Sequence, residues 1–351
     1  MHKTKIFLIF PLLLLLIFLN GCTTKPKYGN GIFKSIDSAD SWKQKTDICV
    51  LENETKVLDR VNVNALIFDP QDNKTIYLGS KKQGLFASFD AAESWQRVRT
   101  FPSGEIRSIA VHPQSKHIVY VAVDNQVFKT LDAGRTWQVV YLEAVRGVVI
   151  NSIAIDNSVP QRVYLGLSDG RLIRSQDNGF SWATISNFQT QIKEILINVY
   201  NTQRIYVSTY QKGIFRSDNQ GLDWASLLES LKNYDGAQKI AKITFQSYKP
   251  EILISASDYG ILKTNDSGKT WTEYKLLTGS NKAKITSFAV YPPDPNIIYY
   301  IAFDKNVVFQ SIDAGLNWTP KSVPTKNQLS QLIIDPLNPN VLYLGVQSSG
   351  N

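Results

Sequence analysis

Every tryptophan in this chain closes the same short string of residues. One copy reads Thr130-Leu-Asp132-Ala-Gly134-Arg-Thr-Trp137. The others place Asp37 before Trp42, Asp90 before Trp95, Asp177 before Trp182, Asn219 before Trp224, Asp266 before Trp271 and Asp313 before Trp318. Successive tryptophans lie 53, 42, 45, 42, 47 and 47 residues apart. A period of this size denotes a repeat architecture, in which no unit buries its apolar face alone and neighbours must stack. A length of 351 residues permits one to three domains. The repeat favours one large quasi-modular domain.

The unit containing Asp177 shows the local grammar. Residues 150–155 form a β-branched run that reads as a first strand, and residues 156–161 are rich in Asp, Asn, Ser and Pro and read as a turn. Residues 162–167 read as a second strand, Ser168-Asp-Gly170 as a hairpin, and residues 171–174 as a third strand. The tryptophan motif then turns the chain into a fourth strand at 181–185. The same order recurs at 63–98, 106–140, 192–227, 240–274 and 285–320. Four antiparallel strands per unit of about 45 residues describe a propeller blade. Residues 329–334 and 341–345 supply two more strands, and the third strand of that unit appears instead at the front, as Gly31-Ile-Phe-Lys-Ser35. The expected fold is therefore an all-β, seven-bladed propeller whose last blade takes two inner strands from the C-terminus and two outer strands from the N-terminus. Closing the ring in this way removes unpaired edges and ties down both termini.

Composition is that of a globular protein, with 43% hydrophobic and 19% charged residues. A formal net charge of +8 is spread over 38 basic and 30 acidic side chains without long like-charge blocks. Such a surface suits an acidic partner or an anionic membrane, and no nucleic-acid motif accompanies it. At the N-terminus His2, Lys3 and Lys5 precede an apolar stretch at 6–19, which is shorter than the roughly 20 residues of a spanning helix. It ends in Leu19-Asn-Gly21-Cys22, which resembles a bacterial lipobox. That resemblance implies a lipoprotein signal peptide at 1–21, removed on export, and acylation (palmitate among the chains) at Cys22. It also implies a polar tether at 22–28 and a propeller at 29–351. Several acyl chains would anchor the protein stably, since each buried methylene contributes about 0.8 kcal/mol. An ordinary signal peptide with a coincidental cysteine is the alternative. One cysteine, Cys49, then remains; flanked by Ile48 and Val50, it reads as a small buried hydrophobe. The fold is expected to rest on repeat packing, without disulfides, metal or cofactor, and to act as a monomer.

The conserved-looking carboxylates read as structural. Asp and Asn side chains accept hydrogen bonds from backbone N–H groups two residues on and so hold tight turns. The glycine two residues after the aspartate suits a position with positive φ. A tryptophan packed between blades contributes up to about 4–6 kcal/mol. Seven motifs dispersed around a rim do not converge on one substrate. The first two copies have Ala39 and Ala92 in place of glycine, and the fifth has Asn219 in place of aspartate, which a turn tolerates.

Binding in propellers uses loops at one face beside the central channel. By the strand order, that face carries the loop entering each first strand and the loop between strands two and three. A channel-side position reads Asn64, Arg107, Asn151, Lys193, Ala241, Thr286 and Ser330, with Glu194, Lys242, Lys284 and Gln331 as neighbours. Second-to-third-strand loops add Lys81, Lys82, Lys212 and Lys305. These residues, with Arg107, Lys193, Lys242 and Lys284 foremost, form a broken basic rim suited to a carboxylate-bearing or acidic partner. A solvated surface of mixed charge is the alternative, because Glu105, Asp124, Asp169, Asp258 and Asp304 share the face. His112 and His117 flank a turn and have no zinc-type spacing.

The pattern Ser/Thr-x-Asp-x-Gly-x-Thr/Ser-Trp is the Asp-box, or BNR repeat. Combined with Tyr-Leu-Gly and Gly-Leu-Phe strands, it resembles the sortilin and photosystem II stability/assembly factor-like superfamily of propellers, over residues 29–351. The resemblance implies a non-enzymatic, lipid-tethered binding or assembly scaffold at a bacterial membrane (periplasmic, outer-surface or, in a cyanobacterium, thylakoid-luminal) that holds another membrane or envelope protein. The family's arginine patch does not map onto this chain residue by residue. Sialidases and xyloglucan-cleaving glycosidases also carry Asp-boxes, so a carbohydrate-active enzyme or glycan-binding lectin is the alternative. The sialidase Phe/Tyr-Arg-Ile-Pro signature is absent; the nearest string, Ile214-Phe-Arg216-Ser, sits in a regular third strand. Xyloglucanases set two propellers across a cleft, where this sequence encodes one. Either glycosidase mechanism needs carboxylates about 5–10 Å apart, and no repeat deviates in a way that builds such a pair.

Overall fold

The computed structural model describes residues 29–46, 58–246, 249–303 and 305–348. Within them lie seven four-stranded antiparallel sheets, arranged as the blades of a propeller. Strand runs such as Ile150–Ile155, Val163–Leu167, Arg171–Ser175 and Ala183–Asn187 fall within two residues of the expected bounds, because β-branched residues alternate with turn residues at each boundary. The only helical turns among the described residues are two single 3-10 turns, Leu58–Arg60 and Glu229–Leu231. One sheet joins the chain ends, in the order Gln328–Ile334, Leu342–Gln347, Gly31–Ser35, Lys43–Gln44. The seventh blade is therefore shared as expected. Its junction with the first blade is held by Lys34 and Lys45, which both bond Glu93.

The core lies between blades. Each described tryptophan packs on the blade before its own: Trp95 clusters with Ile32 and Tyr343, Trp271 with Tyr206 and Leu227, and Trp318 with Tyr274 and Leu276. Trp42, Trp95, Trp271 and Trp318 are buried, while Trp137, Trp182 and Trp224 are half-buried and gain less from burial. The Trp137 ring meets Phe101 edge to face, with centroids 4.7 Å apart.

The Asp-box turns share one hydrogen-bond scheme. Asp177 Oδ1 accepts the backbone N–H of Ser181 at 2.9 Å and Oδ2 accepts its hydroxyl at 2.5 Å, while Ser175 Oγ accepts the N–H of Gly179 at 2.8 Å. The expected reach of two residues is thus corrected to four. The turn is wider because two successive residues, Asn178 and Gly179, take positive φ (61° and 89°) before the chain re-enters the sheet. Ala39 and Ala92 adopt the same left-handed conformation as the glycines they replace, at φ 70° and 64°.

A second tie escaped the sequence reading. The left-handed turn residue turns its carbonyl toward the preceding blade, where a cation on the third strand donates to it. Lys34 reaches Ala91 O at 2.8 Å, Lys129 reaches Asn178 O at 2.8 Å, Arg174 reaches Gln220 O at 3.1 Å and Arg216 reaches Ser267 O at 2.9 Å. Tyr120 and Tyr343 hydroxyls donate to two of the same carbonyls, at 2.9 and 3.2 Å. These cations are spent on holding blades together and are not free to bind a partner.

Candidate functional site in the central channel

The innermost strand of every blade contains a β-bulge near its start, at its second residue in six blades and its third in the shared blade. The pairing register slips between Val63 and Ala65, Ile106 and Ser108, Ile150 and Ser152, Ile192 and Glu194, Ile240 and Lys242, Ile285 and Ser287, and Leu329 and Gln331. A bulge leaves one residue out of the ladder and re-aims its neighbours. The residue skipped in each blade is Asn64, Arg107, Asn151, Lys193, Ala241, Thr286 or Ser330, the channel-side position read from the sequence. All but Ser330 line a central cavity of about 510 Å³, together with the residues that follow them in the chain.

The skipped and following positions make two rings. In the first, Asn64 donates to Ile106 O at 2.8 Å, Asn151 to Ile192 O at 3.0 Å and Ser330 to Val63 O at 2.9 Å, each reaching the next blade. In the second, Ser108 Oγ accepts the Ile153 N–H at 3.0 Å, Ser152 Oγ accepts Ile195 N–H at 3.1 Å and Ser287 Oγ accepts Leu332 N–H at 3.3 Å. This serine belt stitches neighbouring blades at the channel wall. Serine occupies this position in three of the seven blades; the others carry Ala65, Gln331 and, on two adjacent blades, Glu194 and Lys242. Glu194 still performs the serine's task, since its Oε2 accepts the Ile243 N–H at 2.9 Å. Lys242 has no acceptor atom in its side chain and cannot.

The electrostatics follow from this geometry. Glu194 and Lys242 reach the channel yet are surrounded by protein. Burial pushes the Glu194 carboxyl above the usual range, opposed by the nearby Lys242 charge and the Ile243 N–H. Burial also holds the Lys242 ammonium below the usual lysine range, opposed by Glu194. Lys193 is lowered first by burial, then by the like charges of Lys284 and Arg107. Lys284 and Arg107 are therefore each near enough to act on Lys193. Arg107 donates to Glu105 Oε2 at 2.5 Å, and its Nε–H is buried with no acceptor among the described residues.

The sequence-derived residues thus divide into groups. Arg107, Lys193 and Lys242 come together at the cavity, and Lys284 acts on it through Lys193. Lys212 is diverted to Phe188 O at 3.0 Å. Several carboxylates of this face are occupied locally: Glu105 by Arg107, Asp169 by Arg171 at 2.6 Å and Asp258 by Lys239 at 3.7 Å. The Asp-box residues each close their own turn. Asp132, Asp177 and Asp266 are held at about 2, the first two by the hydroxyl and N–H of Thr136 and Ser181; at Asp266 the bonds from Thr270 and Thr264 outweigh a larger opposing effect of burial. Cys22, Cys49 and Asp304 lie outside the described residues. His112 Nδ1 accepts the Gln114 N–H at 3.2 Å, and no group of three His, Cys, Asp or Glu side chains suited to a metal occurs among the described residues. The serine belt was missed because Ser108, Ser152 and Ser287 look like ordinary strand residues until the bulge shows which way they face.

The same ring is found in solved structures. The glycoside hydrolase family 74 xyloglucanase of Xanthomonas campestris superposes with a TM-score of 0.65 at 18% identity, over 82% of this chain and 51% of that one. YCF48 bound to a D1 peptide superposes at 0.62 and 14% identity, over 83% and 94% of the two chains. YCF48 from Cyanidioschyzon merolae gives 0.60 at 13%, over 82% and 96%. The shared feature is the propeller fold. By sequence, the chain is 30% identical to an oligoxyloglucan-reducing end-specific xyloglucanase of Emericella nidulans over 90 residues, 24% of this chain and 11% of that enzyme. A vacuolar protein sorting/targeting protein 10 of Colletotrichum graminicola is 31% identical over 67 residues, 19% and 4% of the two lengths. The matches span only small fractions of those curated relatives. No family model matches the chain.

Proposed function

We propose that this propeller is a non-enzymatic, membrane-anchored scaffold that holds an acidic protein partner on its channel-mouth face. The observation that carries this reading is the group of cations Arg107, Lys193 and Lys242 around one cavity, where Glu194 is the one carboxylate among the described lining residues and Glu105 pairs with Arg107. Charge of one sign in a concave, partly desolvated site attracts and orients an acidic partner. The position of Asn30 agrees with the anchored geometry. Asn30 bonds Asn62 at 2.9 Å at the entry to the first blade, and Ser348 N–H bonds the same Asn62 Oδ1 at 2.7 Å. A tether running from Cys22 to Asn30 would join the ring on the face that carries the cations. The fold shared with YCF48, one structure of which holds a D1 peptide, agrees with a scaffold role.

Exchange of Arg107, Lys193 and Lys242 for Glu is expected to abolish capture of a crosslinked partner from intact membranes; undiminished capture overturns the reading. The fold shared with xyloglucanases favours one competitor, a carbohydrate-active role. Turnover of a xyloglucan oligosaccharide, lost in Glu194→Gln, would establish that competitor instead.

A further inference from the structure

The channel wall has a surplus of hydrogen-bond donors. A serine hydroxyl has one proton to give and two lone pairs to accept with. In Ser108, Ser152 and Ser287 the oxygen accepts an N–H from the next blade, and none of the three gives its proton to a described residue. Each therefore retains an O–H to donate at the cavity wall. Arg107 contributes a buried Nε–H without an acceptor, a group that costs free energy unless something accepts from it. Lys193 adds a second cation and Lys242 a third; Lys242 forms no hydrogen bond or ion pair with a described residue. Against these stand Glu194, with one oxygen already taken by Ile243 N–H, and Glu105, which pairs with Arg107.

The side chain at position 242 points the same way. A serine in place of Lys242 would continue the belt, so its absence forgoes a stitch between blades. A half-buried ammonium group where a hydroxyl would stabilise the ring is the type of feature found at ligand sites. The cavity, about 510 Å³, is of the size that takes small ligands.

We infer that the channel is a binding site for a small oxyanion, a carboxylate or phosphate group that accepts from Lys193, Lys242, Arg107 Nε and the serine hydroxyls. This goes beyond the scaffold reading, because a ligand inside the channel needs no protein docked above it. Several donors on different blades match an anion with several oxygens, and Lys193, Lys242 and Arg107 outnumber Glu194 and Glu105, which suits its charge.

Calorimetric titration of the full chain with inorganic phosphate and, separately, with acetate tests the inference and tells the two chemistries apart. Saturable one-site binding of at least one anion is expected. Lys242→Met keeps the side-chain volume and removes the charge, and should weaken binding roughly tenfold to hundredfold. Glu194→Gln keeps an acceptor for Ile243 N–H and removes the negative charge, and should tighten binding. A purely structural pair predicts no such opposite signs. Should Lys242→Met fail to fold, Lys193→Met, at an exposed position, is expected to weaken binding in its place. Absence of saturable binding with both anions, or weakening by Glu194→Gln, overturns the inference. Anion binding with partner capture indifferent to the triple charge reversal leaves this inference standing and overturns the scaffold reading. Capture lost by that reversal without anion uptake does the opposite.

Discussion

At the Asp-box turns, seven copies repeat nearly the same side chains for the same bonds; at the channel mouth, seven equivalent bulges carry seven different pairs of residues. The pairs run Asn64-Ala65, Arg107-Ser108, Asn151-Ser152, Lys193-Glu194, Ala241-Lys242, Thr286-Ser287 and Ser330-Gln331. The backbone is equally regular in both places. The turn needs a side-chain oxygen from Asp or Asn, a hydroxyl and a left-handed residue simply to form, so its side chains have little freedom. The bulge is held by ladder bonds on either side, so its side chains are free to differ. Uniformity marks what builds the ring, and divergence marks where a ligand is to be sought.

The comparison is broken most severely by adding one methyl group to a turn. A Cβ at Gly315 would lie 2.2 Å from Tyr274 Cδ1, at a φ of +83°. Gly315→Ala should therefore cost about 2–4 kcal/mol, from overpacking and from the left-handed backbone together. At Gly134 the nearest atom would be 3.6 Å away, so Gly134→Ala should cost only the backbone part, about 1–2 kcal/mol. Urea unfolding of the two variants checks the order; equal losses would mean that packing against the preceding blade does not discriminate the turns.

A smaller effect concerns acid. Asp132 and Asp177 are held at about 2, against about 3.9 in an unfolded chain. Carboxyls lowered by folding add stability that is fully present above the unfolded value and is lost as pH falls from about 4 toward 2. The wild-type unfolding midpoint should fall over that window, and Asp177→Asn should fall less steeply. Asn219 already closes the fifth turn, accepting the Asp223 N–H at 2.9 Å, so the same exchange is expected to preserve the turn at neutral pH. An unchanged acid slope in Asp177→Asn would remove Asp177 from the account.

The ring itself was legible in the sequence because its signals are local. Strand alternation, turn composition and the motif's spacing each lie within one repeat, and Gly31-Ile-Phe-Lys-Ser35 at the front supplied the missing strand. The channel-side position from Asn64 to Ser330 was legible too, since the order of strands fixes which end of each first strand faces the mouth. What was not legible depends on contacts between blades. Lys129 and Arg174 look like free surface cations in the sequence, yet they bind Asn178 O and Gln220 O of the next blade. Ser152 looks inert, yet it stitches Ile195. The turn's hydrogen bonds were placed two residues too short because Asn178 and Gly179 both enter the left-handed region, which no single residue type announces.

Glu194 and Lys242 tie the two kinds of region together. Near neutral pH both side chains are charged in the unfolded chain, and burial in the folded ring disfavours both charges, so each lowers stability there. The most direct test replaces both by serine, continuing the belt of Ser108, Ser152 and Ser287, and measures thermal unfolding and phosphate binding on the same sample. The account predicts a higher unfolding temperature together with loss of anion binding. A lower unfolding temperature with binding retained would contradict it, and would make the pair part of the ring's architecture instead of its site.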